Sequence, residues 1–216
     1  MFRYPERSTQ SPFWVALFLL ILGASLVKAQ VIEFWSNGLR YQALTREGLT
    51  VMHARMPLAV RNYVVVQVAL NNGSQRIWKV QPTDFYFESA SGLVLRAESE
   101  NEVVSRLYRQ ANSDDVIKLQ TAYERATYGN QHIRSNNGYE KRRQAALAFG
   151  GHQGIKAAAA ASAIAFVKTE LLGGDSTDGA IFFEAPGRQL GAGRVIARVE
   201  EETFEFRVEN PTHAPE

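Results

Sequence analysis

Side chains that carry most enzymatic chemistry are few in this sequence and do not stand at the spacings of known motifs. The chain has no cysteine, which excludes thiol nucleophiles and thiolate metal sites. It also lacks a Gly-x-Ser-x-Gly nucleophile motif. Its four histidines are isolated, and none belongs to a His-Glu-x-x-His pair: His53, His132, His152 and His213. We therefore predict no catalytic, cofactor-binding or metal-binding residues, and no cofactor.

Two glycine-rich segments lack the residues that ligand-binding loops require. Residues 150–157 (GGHQGIKA) have isoleucine between glycine and lysine, where a phosphate loop needs Gly-Lys followed by Ser or Thr. Residues 173–179 (GGDSTDG), aligned as a calcium loop, place Gly174 and Ala185 where acidic ligands are needed. We predict that this second segment is a connection whose Asp and Ser side chains bond their own backbone.

Three further groups of residues have both a binding and a structural interpretation. The basic triplet 141–143 could contact an anionic surface, but such triplets are usually solvated helix faces. Residues 72–74 match a glycosylation acceptor, although Asn-Gly is also a turn signal. Trp35, Trp78 and residues 85–87 could form an aromatic binding patch, but at strand spacing they are more often core residues. The structural interpretation is favoured for each group.

The N-terminus has the order of a secretory signal. Arg3 and Arg7 precede an uncharged apolar run, Phe13 to Val27, and Val27 and Ala29 place small residues at the two positions that a signal peptidase reads. Fifteen helical residues reach roughly 22 Å, which is less than the ~30 Å hydrocarbon core. We expect cleavage between Ala29 and Gln30, with an uncleaved anchor as the alternative. Either outcome predicts an exported, periplasmic or cell-surface protein.

The charge of the exported part argues against nucleic-acid binding. Loss of residues 1–29 removes three basic residues and one acidic residue, which leaves equal numbers of both. No basic excess then remains to attract a polyanion. Since the chain has no disulfide in an oxidising compartment, its core must hold the fold, and its length is sufficient for that.

Residues 38–97 show the period-two pattern of strands. In YVVVQVALNNGS, alternate residues from Val64 to Leu70 share one face, and Asn72-Gly73 follows as a turn that tolerates positive φ. A strand at Gly48 to Met56 is expected to end before Pro57, and two more are expected in DFYFES and GLVLRA. Four or five strands in hairpin order are predicted before residue 98.

The pattern changes to helical near Ser99. Ser99 and Glu102 fit a capping box, which predicts a helix from about Glu100 to Gln110. A second helix is expected from Ser113 to Gly129, and a third in YEKRRQAALAF.

The alanine-rich run predicts a compact helix of small side chains, Ile155 to about Ile164, packed closely against a sheet. A membrane span at residues 147–167 is disfavoured because it would bury Lys156. Strands return from near Phe166, and Glu200 to Glu202 should form a hairpin tip between the last two. In TFEFRV, Phe204, Phe206 and Val208 share one face.

The strand segments resemble the immunoglobulin-like domains of unknown function found in exported bacterial proteins. Residues 48–97 and 166–208 carry the resemblance, in YVVVQVALNNGSQRIWKVQPTDFYFESASGLVLRA, LLGGDSTDGAIFFEA and RVIARVEEETFEFRV. The resemblance implies a two-sheet antiparallel β-sandwich, here interrupted by a helical segment, so the predicted fold class is mainly β with an α insertion. The predicted division is 1–29 signal peptide, 30–98 first half of the sandwich, 99–165 helical insertion, 166–210 second half and 211–216 C-terminal tail.

These observations predict an exported, non-catalytic binding or structural protein of the bacterial cell envelope that acts through protein–protein contacts. Its expected partner is another envelope protein, with membrane contact only through an uncleaved N-terminal segment. The alternative is a carbohydrate-binding module or hydrolase with a site between the sandwich and the insertion. An acidic cleft there would favour the alternative, whereas an exposed apolar patch would favour a protein partner.

Overall fold

The computed structural model describes residues 30–110, 113–128, 138, 141, 142, 144, 153–185, 187 and 189–209. Within them the chain is mainly β with a helical insertion, which confirms the predicted fold class. The strands are β1 Ile32–Ser36, β2 Leu39–Arg46, β3 Leu49–Val60, β4 Tyr63–Asn72, β5 Trp78–Val80, β6 Phe85–Ser89, β7 Val94–Arg96, β8 Thr169–Leu171, β9 Ser176–Glu184, β10 Gly193–Val199 and β11 Glu202–Val208. The helices are α1 Glu100–Gln110, α2 Ser113–Tyr128 and α3 Gln153–Ile164, with a 3-10 turn at Pro82–Asp84.

The strands form two main antiparallel sheets. One has five strands in the order β1-β2-β3-β4-β9, and the other has four in the order β11-β10-β6-β7. Strands β5 and β8 form a separate two-stranded sheet. Strands from before and after the insertion are therefore neighbours in both main sheets.

The two main sheets enclose one core, which we call the sandwich core. Valines of β4 and phenylalanines of β9 and β11 meet there, including Val66, Val68, Phe183, Phe204 and Phe206. All five are almost fully buried. The early and late strands thus complete one hydrophobic interior.

The other side of the five-stranded sheet is covered by the helices, which creates a second core. Tyr63 and Val65 of β4 belong to this core, which also includes residues from all three helices. Because alternate residues of β4 enter different cores, this strand is buried on both faces, more completely than its sequence pattern predicted. The fold therefore has three layers: helices, five-stranded sheet and four-stranded sheet.

The helix starts follow from local sequence. Ser99 N donates to the Glu102 carboxylate at 3.0 Å, and Glu102 N donates to Ser99 Oγ at 3.4 Å, so the predicted capping box is confirmed. Helix α1 has the predicted bounds. The alanine helix α3 begins two residues earlier than expected and places Ala161 and Ala163 in the second core. Small side chains there allow the helix to approach the sheet closely.

Several expectations about the strands were wrong. Seven strands precede residue 98, because short strands such as β1 and β5 show little periodicity. Strand β3 continues through Pro57, which lies in an irregular stretch between Arg55 and Ala59 where no regular ladder bond is needed. After the helical insertion, the first strand is β8, which begins at Thr169 and not near Phe166 as expected.

The expected turn and connection also differ. Neither Asn72 nor Gly73 has a positive φ. Instead Asn72 Oδ1 accepts from Ser74 N at 2.9 Å, and its amide donates to Leu171 O at 3.0 Å. The connection predicted at 173–179 is shorter, since β9 begins at Ser176. Within it, Asp175 does bond local backbone, accepting from Leu172 N at 2.9 Å.

Some predictions fall on residues that lie outside the described part of the chain. These are the signal peptide and Ala29, the end of the second helix at Gly129, most of the helix predicted at 139–149, and His132, His152 and His213. Gln30 is described and exposed.

The insertion is joined to the sheet at both ends through β9. Glu98 N donates to Phe182 O at 3.0 Å where the insertion begins, and Phe166 N donates to Ala180 O at 2.8 Å where it ends. A Cβ on Gly179 would lie 2.5 Å from Phe166 Cα. Glycine is therefore needed at this position so that the returning chain can approach β9.

We predict that Gly179→Ala lowers the free energy of unfolding by about 1–3 kcal/mol, because the backbone of Phe166 must move away. Gly73→Ala is the matched control, since its Cβ would have no atom nearer than Gly48 O at 3.4 Å. We expect a change within about 0.5 kcal/mol for the control. Urea denaturation of both variants tests this, and equal midpoints would contradict it.

Candidate interaction surface at the sheet edge

Strand β1 exposes two large apolar side chains at one edge of the five-stranded sheet. Trp35 is 74% exposed and Ile32 is 64% exposed. Trp35 is the most exposed of the large hydrophobic residues in the described chain. Within that part, β1 pairs only with β2 and so forms an edge of the sheet. An edge strand with exposed aromatic and aliphatic side chains is a typical protein-binding element.

A tight turn positions β1 against β2. Asn37 and Gly38 have φ values of 51° and 76°, as a two-residue type I′ hairpin requires. The turn is closed by the pair Ser36 and Leu39, and the antiparallel register continues to Ile32 and Ala43. The turn therefore fixes which residue of β2 lies opposite each residue of β1.

The hairpin also determines which backbone groups of β1 face outward. In antiparallel pairs, hydrogen-bonded and non-bonded positions alternate, and the pair that closes a two-residue turn is hydrogen-bonded. Ser36, Phe34 and Ile32 therefore bond β2. The N–H and C=O groups of Glu33 and Trp35 point away from β2, toward the open edge.

An aromatic contact holds β1 on the helix side of the sheet. The rings of Phe34 and Tyr41 stack with centroids 5.3 Å apart and planes 9° apart. Tyr41 is buried in the second core, and its hydroxyl donates to Gln67 Oε1 at 2.8 Å. The stack anchors the middle of β1.

A ladder of polar side chains holds β1 on the other side. Glu33 accepts from Arg40 Nη2 and from Gln42 Nε2, both at 2.5 Å. The hydrogen bond from Arg40, and next that from Gln42, hold the pKa of Glu33 below its usual value. Gln42 Oε1 in turn lies 3.1 Å from His53 Nε2. We call these four residues of β1, β2 and β3 the polar ladder.

His53 is the buried end of the polar ladder. Because Gln42 uses its amide N–H for Glu33, its oxygen must accept from His53, which assigns the neutral Nε2–H tautomer. His53 Nδ1 is buried and has no hydrogen-bond partner among the described residues, and the centroid of its ring lies 4.6 Å from that of Phe206. Burial lowers the pKa of His53 to about 4. The ring is therefore neutral at pH 7.

The aromatic binding patch, which was the less favoured interpretation of these residues, does not form. Trp78, Phe85 and Phe87 are buried in the sandwich core, as the structural interpretation proposed. The ring of Tyr86 faces outward from the four-stranded sheet, 4.6 Å from the Arg198 guanidinium. Trp35 stands apart on β1, and residue type alone does not distinguish it from Trp78.

Three other residues that the sequence analysis considered have structural roles. Asn72 is fully buried and hydrogen-bonded, so it is not accessible as a glycosylation acceptor. Arg142 is partly buried rather than fully solvated, and it donates to Ser162 O at 2.9 Å and Ala165 O at 3.0 Å. It thus caps the C-terminal end of α3, where carbonyl groups lack helical partners. Glu200 lies at the predicted hairpin tip and is ion-paired with Arg76.

A polar cluster joins the helices to the sheet beside the second core. Arg106 of α1 contacts Glu98 at 3.1 Å and Glu184 at 2.5 Å, and Tyr63 donates to Glu98. Desolvation by burial, with the bond to Glu98, raises the pKa of Tyr63. Both carboxylates are engaged by the same guanidinium. The cluster therefore acts as a tie between α1, β4 and β9.

Buried Asp178 was part of the glycine-rich segment that was tested as a calcium loop. It lies in β9 and accepts from the Tyr123 hydroxyl of α2 at 2.5 Å. Among the described residues, no group of three or more His, Asp or Glu side chains has the geometry to hold a metal ion. No helix in the same part of the chain combines the length and apolar character needed to cross a membrane.

Comparison with known proteins gave no match to a protein-family model, to a curated protein or to a solved structure. The candidate surface is therefore defined by the geometry of β1 alone.

The burial of neutral His53 predicts a dependence of stability on pH. Because the folded-state pKa of about 4 lies below the ordinary value of 6.5, the unfolded chain binds a proton first as the pH falls. The contribution of neutral His53 to the free energy of unfolding is complete above pH 6.5. It is lost as the pH falls from 6.5 to about 4, and its size is on the order of 3 kcal/mol.

Urea denaturation at several pH values measures this effect in the wild type and in His53→Gln. The variant should lack this part of the pH dependence, since glutamine does not titrate. The same pH dependence in both proteins would show that other groups cause it.

Proposed function

We propose that this chain is an exported, non-catalytic binding protein of the bacterial cell envelope, and that β1 is its partner-binding strand. The observation that carries the proposal is the exposure of Trp35 and Ile32 on an edge strand whose outward backbone groups have no strand opposite them in the described chain. An added strand would bond those groups, and its side chains would cover the exposed residues. Tryptophan is among the residues that contribute most to binding energy at interfaces.

The strand order supports an immunoglobulin-like topology. In that fold the strands named A, B and E share one sheet, and C, F and G share the other, with C′ beside C in variable-type domains. Strands β3, β4 and β9 take the positions of A, B and E. Strands β6, β10 and β11 take those of C, F and G, and β7 that of C′. In this proposal, β1 and β2 extend the first sheet, and the helices are inserted between C′ and E.

Nothing observed favours a carbohydrate-binding or hydrolytic site between the sheets and the helices. Most described residues at that boundary belong to the apolar second core, and the buried carboxylate there, that of Asp178, accepts a hydrogen bond from the Tyr123 hydroxyl. The carboxylates of Glu98 and Glu184 at its margin are bound by Arg106. An open depression of about 510 Å³ lies elsewhere, at the end of the four-stranded sheet. Its Arg194 is held by Glu88 and Glu205, each at 2.9 Å.

The predicted export is tested by the N-terminus of the protein recovered from producing cells. We expect it to begin at Gln30, because Ala29 supplies the small residue that signal peptidase requires. Ala29→Arg should prevent cleavage, whereas Gln30→Ala should not. The intact mass of each purified variant shows whether residues 1–29 have been removed. A wild-type protein that retains residues 13–27 would instead indicate an uncleaved anchor.

Binding through β1 is tested by site-specific crosslinking. Because the chain has no cysteine, a single introduced cysteine is the one site that a thiol-reactive reagent labels. Trp35→Cys, labelled with a thiol-reactive photocrosslinker, should form protein adducts in the cell envelope. Leu172→Cys is the matched control, because Leu172 is also an exposed apolar residue, at 54%, but lies outside β1. Adducts should form from position 35 and not from position 172. Equal yields of protein adduct at positions 35 and 172, or no adduct at either position, would reject β1 as the binding element.

Point variants are preferable to removal of residues 99–165. Deletion would uncover the apolar side of the five-stranded sheet, including Tyr63 and Phe182, which the helices now bury. Loss of binding in such a variant would then report on folding.

A further inference from the structure

We infer that β1 pairs with β1 of a second copy of this chain, antiparallel and across a two-fold axis at Phe34. This inference rests on the proposed function of β1 and names the partner. The two five-stranded sheets would join into one sheet of ten strands. The interface is isologous, because each copy contributes the same strand.

The outward backbone groups of β1 support this pairing. Glu33 and Trp35 direct their N–H and C=O groups away from β2, as the hairpin register requires. In an antiparallel pair centred on Phe34, Glu33 of each copy lies opposite Trp35 of the other. Both pairs are then hydrogen-bonded positions. Each copy thus supplies two donors and two acceptors to the other, which gives four backbone hydrogen bonds.

The charges of β1 select this register over its neighbours. A two-fold axis at Glu33 would place two carboxylates opposite each other, which is destabilising. An axis at Trp35 would place the turn residues Asn37, with φ of 51°, and Gly38 opposite Glu33 and Ile32, so these two residues of the strand would be left unpaired. The axis at Phe34 avoids both problems. It is the register that pairs the whole of Ile32–Ser36.

The side chains on the polar-ladder side are complementary in this register. Trp35 lies between Arg40 of its own β2, its cross-strand neighbour, and Glu33 of the second copy. The Trp35 side chain, which is 74% exposed in one copy, lies beside the Glu33 side chain of the second copy and is partly covered by it. On the opposite side, Ile32 lies against Ser36 of the second copy.

The two edges of the five-stranded sheet differ in a way that favours this arrangement. At the β9 edge, isolated bridges to Ala97 and Ala165 occupy part of the strand. Strand β1 contains no proline and no lysine, which are common protections of an open edge. Pairing of β1 with its own copy closes this edge and forms a finite dimer rather than an open chain of subunits.

Proline at position 35 gives a specific test. Trp35→Pro removes the outward N–H but leaves the β1–β2 ladder intact, because that N–H does not bond β2. Two interface hydrogen bonds are lost per dimer, so we expect the dimer dissociation constant to rise about 10- to 100-fold. Trp35→Ala keeps the N–H and serves as the comparison for loss of the side chain. Because a single strand pair buries little area, the full chain should be measured at micromolar concentrations by light scattering.

Disulfide trapping tests the register in the full chain. Full-length chains carrying Glu33→Cys and differently tagged chains carrying Trp35→Cys, when mixed and oxidised, should form the mixed disulfide in preference to either homodimer. Opposite residues in this register lie within the Cα separation that a disulfide allows. Leu172→Cys chains should remain monomeric under the same oxidation. Urea midpoints near that of the wild type show that each variant is folded.

The outcomes separate this inference from the proposed function. A dimer that Trp35→Pro weakens, together with the mixed disulfide, supports the inference. A monomer at micromolar concentration whose position 35 crosslinks a different envelope protein overturns the inference and leaves the proposed function intact. A dimer trapped equally well through Leu172→Cys also overturns it. Absence of both self-association and crosslinks at position 35 overturns both proposals.

Discussion

The pairing of β9 with β4 is the interaction on which the rest of the structure depends. The two strands pair along nine residues, from Tyr63 with Glu184 to Asn71 with Ser176, although the helical insertion separates them in sequence. Alternate residues of β9 then enter different cores, with Phe183 in the sandwich core and Phe182 in the second core. Without β9, each core would lose one wall.

This pairing also explains the composition of the segments next to β9. The chain leaves for the insertion and returns from it at β9, through backbone bonds of Glu98 and Phe166. Two chain segments can lie this close only where side chains are small. Ala97, Ala165 and Gly179 occupy these positions. The alanine run is therefore the means by which α3 reaches the sheet while the returning chain still contacts β9.

Features encoded by local sequence were predictable. Alternation identified the face of β4 that enters the sandwich core, and the Ser99–Glu102 capping box identified the start of α1, because both depend on residues a few positions apart. Features that depend on distant residues were not predictable. The amide of Asn72 bonds Leu171 O, and Arg142 caps a helix that begins later in the chain. The candidate surface belongs to this second group, because the exposed residue Trp35 lies on the strand that becomes the edge of the five-stranded sheet, and the order of strands in a sheet is not encoded by any local pattern.

The contacts that hold β1 in place are separate from the groups that it presents at its edge. The Phe34–Tyr41 stack and the polar ladder both run inward, toward β2 and β3. The outward backbone groups of Glu33 and Trp35 contribute nothing to these contacts. A strand added at this edge would therefore not need to displace the Phe34–Tyr41 stack or the polar ladder. Because of this separation, a short edge strand is ordered in one copy and is still available to a partner. Recognition by backbone pairing therefore requires less structural change here than recognition that rearranges either core.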